Sequence, residues 1–75
     1  MKLIKDHYYL IAYNNMLFPA ICVKLDKFVV VDDFGQCWFN IGTKYVDILE
    51  ELSEDDACIN FNDNRYKLKY PEYLI

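Results

Sequence analysis

Residues Ala20 to Ile41 read AICVKLDKFVVVDDFGQCWFNI, three short apolar runs separated by two clusters of turn-forming residues. The first cluster is expected to place Asp26-Lys27 in a two-residue loop, with Leu25 opposite Phe28 and Val23 opposite Val30, because sliding by one residue would set apolar side chains against charged ones. The second, Asp32-Asp33-Phe34-Gly35, has the chemistry of a type I turn closed by a glycine bulge: Asp can bond its own backbone and Gly tolerates positive φ. Phe28 to Val31 and Cys37 to Ile41 then become neighbours in an antiparallel meander.

Outward from that stretch, Tyr8-Tyr9-Leu10-Ile11-Ala12-Tyr13 is apolar on every position, which suits a strand with neighbours on both faces, and His7 to Tyr13 is read as that strand. Asn14-Asn15 supplies a turn, since Asn tolerates the left-handed region. Pro19 cannot donate to a ladder and is expected at a strand entrance or bend. Gly42 ends the third strand of the meander.

From Thr43 to Leu52 two readings compete. Tyr45, Ile48, Leu49 and Leu52 have i, i+3, i+4, i+7 spacing behind a Thr43 N-cap, which predicts a short helix; Val46 and Ile48 alternating with Asp47 would also suit a strand. The helix is favoured. Ser53-Glu54-Asp55-Asp56 is a polar connector or one more helical turn. Tyr66, Leu68 and Tyr70 alternate with Arg65, Lys67 and Lys69, the period of a half-wet strand. Pairing Phe61 with Tyr66, Ile59 with Leu68 and Ala57 with Tyr70 gives a C-terminal hairpin around Asp63-Asn64 with its apolar residues on one side. The expected class is therefore mainly β, one domain over residues 1–75, with one short helix near 43–52 and a C-terminal hairpin.

Composition bounds the rest. The chain has 75 residues, is 55% hydrophobic and 17% aromatic, too apolar for a disordered segment and small enough for modest stability. A net charge of -4 argues against a general grip on nucleic acid, which needs a basic surface. Cys22, Cys37 and Cys58 form no close pair and are read as buried reduced thiols of a cytoplasmic protein. A zinc site would have to gather all three and His7 from separate elements, so no metal or other cofactor is expected. No secretory leader is legible near Met1. The longest uncharged apolar run, Met16 to Val23, contains Pro19 and is too short for a bilayer, so no membrane partner is expected.

The run Phe28 to Phe39, with its acidic turn closed by Gly35 and its Trp38-Phe39 pair, followed by Tyr45-Val46-Asp47-Ile48-Leu49-Glu50, resembles the hairpin and closing strand of small SH3-like β-barrel proteins common among bacteriophage accessory genes. Asn40-Ile41-Gly42 stands where a proline often follows the aromatic pair in those proteins, and the C-terminal segment is additional. The resemblance implies an SH3-like meander or partial barrel, and a host-takeover or anti-defence protein that works in the host cytoplasm by binding. It carries over no catalytic residue.

Chemistry along the chain agrees with a binder rather than an enzyme. Asp33-Phe34-Gly35 spells the magnesium-binding triplet of protein kinases, but no glycine-rich loop, partner lysine or catalytic-loop motif accompanies it. Ser53 is the only serine, and the neighbouring pairs Asp32-Asp33 and Glu50-Glu51 offer no opposed carboxylates for acid-base work. Between Asp32 and Asp63, nine acidic residues face the single base Lys44. Glu50, Glu51, Glu54, Asp55 and Asp56 are the candidate contact residues if this segment imitates the phosphates of nucleic acid and docks on a nucleic-acid-handling host enzyme; otherwise they are a solvated face that keeps the protein soluble. Trp38 and Phe39 point to opposite sides of a strand. The outward one, with Phe34 at a turn tip and Tyr45, is a candidate aromatic anchor. Arg65, Lys67 and Lys69 could instead form a weak single-strand nucleic-acid strip, although the alternation turns the tyrosines away from the cations. Exposed aromatics together with Tyr73-Leu74-Ile75 would suit an oligomer-forming accessory subunit.

Overall fold

The computed structural model describes residues 2–31, 36–58, 61 and 65–73, with the side chain of Lys67 excepted. Five strands, β1 Tyr8–Tyr13, β2 Met16–Lys24, β3 Lys27–Val31, β4 Cys37–Gly42 and β5 Asp47–Leu52, form one antiparallel sheet in the order β4-β3-β2-β1-β5. A 3-10 turn at Thr43–Tyr45 leads into β5, which returns to pair with β1. The sheet is not closed, and this mainly β partial barrel is the expected meander. Two five-residue helices, α1 Glu54–Cys58 and α2 Arg65–Lys69, and a final 3-10 turn, Pro71–Tyr73, follow.

The unbroken apolar run of β1 is explained by burial on both faces. Tyr9 and Ile11 join Ala20, Cys22, Phe28, Val30 and Ile41 on one side, while Leu10 joins Leu52, Ala57 and Tyr66 on the other, under the C-terminal helices. The Tyr9 ring meets Phe28 at 5.8 Å, and its hydroxyl accepts the Ile4 amide at 2.8 Å, which satisfies a phenol at the centre of a dry cluster. Asn14 and Asn15 take φ of 51° and 62°, and with Tyr13 paired to Met16 they make the expected two-residue turn. Pro19 lies within β2 rather than at its entrance. It sits opposite Leu10 and one residue beyond the last β2–β3 pair, Ala20 with Val30, so the ladder to β3 ends where the donor is missing.

Several expectations are corrected. The β2–β3 turn is Leu25-Asp26, with Lys24 opposite Lys27, Cys22 opposite Phe28 and Ala20 opposite Val30. An irregularity at Val23 absorbs one residue, leaving Leu25 exposed at the tip while Asp26 accepts the Thr43 amide at 3.0 Å. Residues 47–52 are strand, not helix. A bulge opposite Leu10 and Ile11 shifts the side-chain phase, so Ile48 packs on one cluster while Leu49 and Leu52 pack on the other. That slip imitates helical spacing.

The C-terminal hairpin is absent: Ala57 is in α1, and Tyr66, Leu68 and Arg65 are in α2. Tyr66 and Tyr70 are also i and i+4, and the Tyr70 amide bonds the Tyr66 carbonyl at 3.0 Å. Tyr66 is buried and Leu68 is 76% exposed; as a helix the segment covers the second face of β1, which would otherwise be wet. Ser53 Oγ accepts the Asp56 amide at 3.1 Å, an N-cap that opens α1. Of the cysteines only Cys22 is buried; Cys37 is exposed and Cys58 half-buried, and none of the three is in a disulfide. Burial, then the Asp6 charge, pushes the Cys22 thiol up, and the thiol donates to the Lys24 carbonyl at 2.9 Å, which makes it unreactive. The acidic turn at 32–35 and the Asp63-Asn64 turn lie outside the described residues.

Candidate functional site

The acidic candidates do not form one surface. Glu50 and Glu51 are neighbours on a strand and point to opposite sides. Glu50 bonds Lys69 Nζ and the Tyr70 hydroxyl, each at 2.7 Å, and Glu51 meets His7 Nδ1 at 3.2 Å. Asp56 receives the Arg65 guanidinium at 2.9 Å. Glu54 and Asp55 are exposed in the first turn of α1. Three of the five carboxylates therefore tie the C-terminal helices and the N-terminal segment to β5 and α1. The basic residues are engaged as well: Arg65 and Lys69 lie over the Tyr66 and Tyr70 rings, 5.2 and 5.7 Å from their centroids, folding back onto tyrosines that the strand reading turned away.

The Glu50 cluster has a testable pH signature. Burial opposes ionisation of Glu50, but the hydrogen bonds from Lys69 and Tyr70 outweigh it and hold the carboxyl below its usual 4.5. Its contribution is present above pH 4.5 and is lost as pH falls through the lower folded value. The hydrogen bond to Glu50, and then burial, pushes the Tyr70 phenol from 10.0 to about 12, so the neutral phenol stabilises the fold below pH 10 and that part fades toward pH 12. Glu50→Gln is expected to cost about 1–2 kcal/mol at pH 7 and to flatten the acid limb of a melting-temperature profile. An unchanged limb contradicts the link.

The aromatic candidates gather at the other end of the sheet. Trp38 is 70% exposed on β4, an edge of the sheet, and Phe39, 36% exposed, lies edge-on to Phe18 at 5.9 Å and tilted against Tyr13 at 6.4 Å. Phe39 sits at the rim of the first cluster rather than within it. Tyr45, on the 3-10 turn, is 63% exposed, and Lys44 Nζ lies 5.1 Å from its ring centroid. A Cβ at Gly42 would stand 3.2 Å from Tyr45 Cδ2, so glycine lets the ring lie close to the end of β4. Two adjoining depressions, of about 410 and 320 Å³, share Tyr13 and Tyr45 as walls. Asn15, Asp47 and Tyr73 bound the first; Phe39 and Ile41 line the second. Burial, followed by the Asp47 charge, raises the Tyr73 phenol, keeping it a neutral donor at the groove wall. Tyr13 was read from sequence as a strand residue only, since nothing local marks it as a wall. Phe34 lies outside the described residues.

Among the described residues no group of three or more metal-ligating side chains converges, and no helix is long and apolar enough to cross a membrane. Comparison with protein-family models, with curated proteins and with solved structures finds no match.

Proposed function

We propose that this chain is a non-catalytic binding protein that docks on a partner protein through the aromatic groove between Tyr13, Phe39 and Tyr45. The observation that carries the reading is the joining of two depressions along shared tyrosine walls, with an exposed Tyr45 on the 3-10 turn. Rigid tyrosines give large contact area at little entropic cost, which is why such residues dominate interface energetics. The occupant is a polypeptide segment with an apolar side chain in the depression beside Phe39 and Ile41 and polar groups in the larger one, where Asn15, Lys44 and Asp47 offer partners.

The resemblance to phage accessory proteins extends the proposal to a host protein, bound and inhibited in the host cytoplasm. Phosphate imitation is the second reading, supported by exposed Glu51, Glu54 and Asp55 but weakened by the internal pairing of Glu50 and Asp56. A single-strand nucleic-acid strip has less support, because Arg65 and Lys69 already face carboxylates.

Affinity capture from host cytosol tests the choice. A protein retained by the wild type should be lost with Tyr45→Ala and kept with the double change Glu54→Gln and Asp55→Asn. The reverse pattern would replace the groove with the acidic surface.

A further inference from the structure

The larger of the two depressions has an electrostatic character that the smaller lacks. Tyr13, Tyr45 and Tyr73 stand around it, and Asp47 and Lys44 bring one charge of each sign. The rings come from separate elements: Tyr13 closes β1, Tyr45 ends the 3-10 turn before β5, and Tyr73 ends the last 3-10 turn. Asp47 opens β5 opposite Ala12. Aromatic faces are electron-rich and attract cations, and a carboxylate beside them adds a full negative charge. Rings and acid together suit a cation.

Two observations support that sign. Burial and then the charges of Asp47 and Glu72 raise the Tyr73 phenol, with a hydrogen bond to Asp47 adding to them, so two carboxylates act on one wall of the depression. A cation is also already there. Lys44 Nζ lies 5.1 Å from the Tyr45 centroid, and Lys44 lines the larger depression but not the smaller, which places the chain's own ammonium on this ring at the larger depression. Lys44 is exposed, and a lysine on a flexible, hydrated stem is readily displaced.

We propose that the larger depression takes an arginine side chain of the docked protein, whose guanidinium stacks on Tyr45 in place of the Lys44 ammonium and donates to the Asp47 carboxylate. A guanidinium is planar, more weakly hydrated than an ammonium, and carries a fork of donors that matches a carboxylate. It therefore gains more from a ring and an acid than the lysine it displaces, and Lys44 turns out to solvent. One charge pair set among rings is screened less by salt than a broad acidic surface. The inference rests on the docking reading and names the side chain that the groove takes.

The test titrates the full chain with N-acetyl-arginine methylamide, and separately with the norleucine counterpart, while NMR follows the Tyr45 and Tyr73 ring protons. The arginine probe is expected to bind with a Kd on the order of 1–10 mM, and more than about fivefold tighter than norleucine. Lys44→Met should tighten the arginine probe about threefold by removing the competing ammonium, and Asp47→Asn should weaken it about threefold or more. Lys44→Met carries the test should Asp47→Asn lose its fold by circular dichroism. Equal affinity for the two probes, or an arginine affinity that Lys44→Met fails to raise, overturns the proposal. In capture from host cytosol, a protein lost with Tyr45→Ala yet kept in full with folded Asp47→Asn leaves the docking reading standing and overturns this one. A protein kept with Tyr45→Ala overturns both.

Discussion

Phe28→Ala is expected to leave little folded protein in mild denaturant. Phe28 is fully buried, packs against Tyr9, and sits opposite Ile41 across the β3–β4 ladder. Truncating a buried phenylalanine costs about 3–5 kcal/mol, lost transfer energy plus the cavity left behind. The total stability of a chain this short is roughly 4–11 kcal/mol by the usual per-residue range, so one side chain accounts for a large share of it. A urea titration checks this through the midpoint, which should fall steeply. A loss under about 1 kcal/mol would mean that Phe28 is not in the interior. The same experiment on Trp38→Ala should give a shift within about 0.5 kcal/mol, because the indole is mostly solvent-exposed.

The second large effect separates the helical C-terminal segment from the hairpin that its alternation suggests. Tyr66 is buried against the second face of β1, stacked on Phe61 at 5.8 Å, whereas Leu68 points to solvent. Tyr66→Ala should cost about 3 kcal/mol or more, and Leu68→Ala should be nearly neutral, within about 0.5 kcal/mol. A strand with Tyr66, Leu68 and Tyr70 on one dry face would make the two losses similar. Denaturant midpoints of the two variants, measured side by side, decide between the arrangements.

The meander was legible in the sequence because its signals are local. Asn14-Asn15 supplies two residues able to adopt positive φ, the turn-forming Asp32-Asp33-Phe34-Gly35 makes the runs on either side of it neighbours, and the all-apolar β1 announces burial on two sides. The errors arise where a pattern fits two periods. Tyr66 and Tyr70 satisfy both period two and i, i+4, and only the need to cover Leu10 and Leu52 favours the helix. Ile48, Leu49 and Leu52 imitate a helix because a bulge shifts a strand's phase, and a bulge depends on the partner strand, not on the residues that form it. At the turn before β3, rigid alternation predicted Leu25 opposite Phe28 and Val23 opposite Val30; the irregularity at Val23 gave those places to Cys22 and Ala20 instead.

The site divides in the same way. Adjacency marked one of Trp38 and Phe39 as outward without saying which, and Trp38 is the more exposed; Tyr45 was named as a candidate anchor although the favoured helix put it on an apolar face. Tyr13 was not, because it becomes a groove wall only when β5 and the 3-10 turn arrive beside β1 from more than 30 residues away. Acidic clustering in sequence overstated acidic clustering in space: Glu50 and Asp56 are drawn into ion pairs by Lys69 and Arg65, residues that a hairpin would have turned to solvent. Segregation of charge along a chain is thus compatible with neutralisation across its fold.

The central claim is that partner recognition rests on aromatic contact at Tyr45 and not on the chain's negative charge. Titrating the captured partner against wild type and Tyr45→Ala, at about 50 and 500 mM salt to span weak and strong screening, tests it most directly. The account predicts a wild-type affinity that changes less than about threefold with salt and falls about 30-fold or more in Tyr45→Ala, the loss of an interface hot spot. An affinity that collapses at high salt while Tyr45→Ala binds like wild type would contradict it.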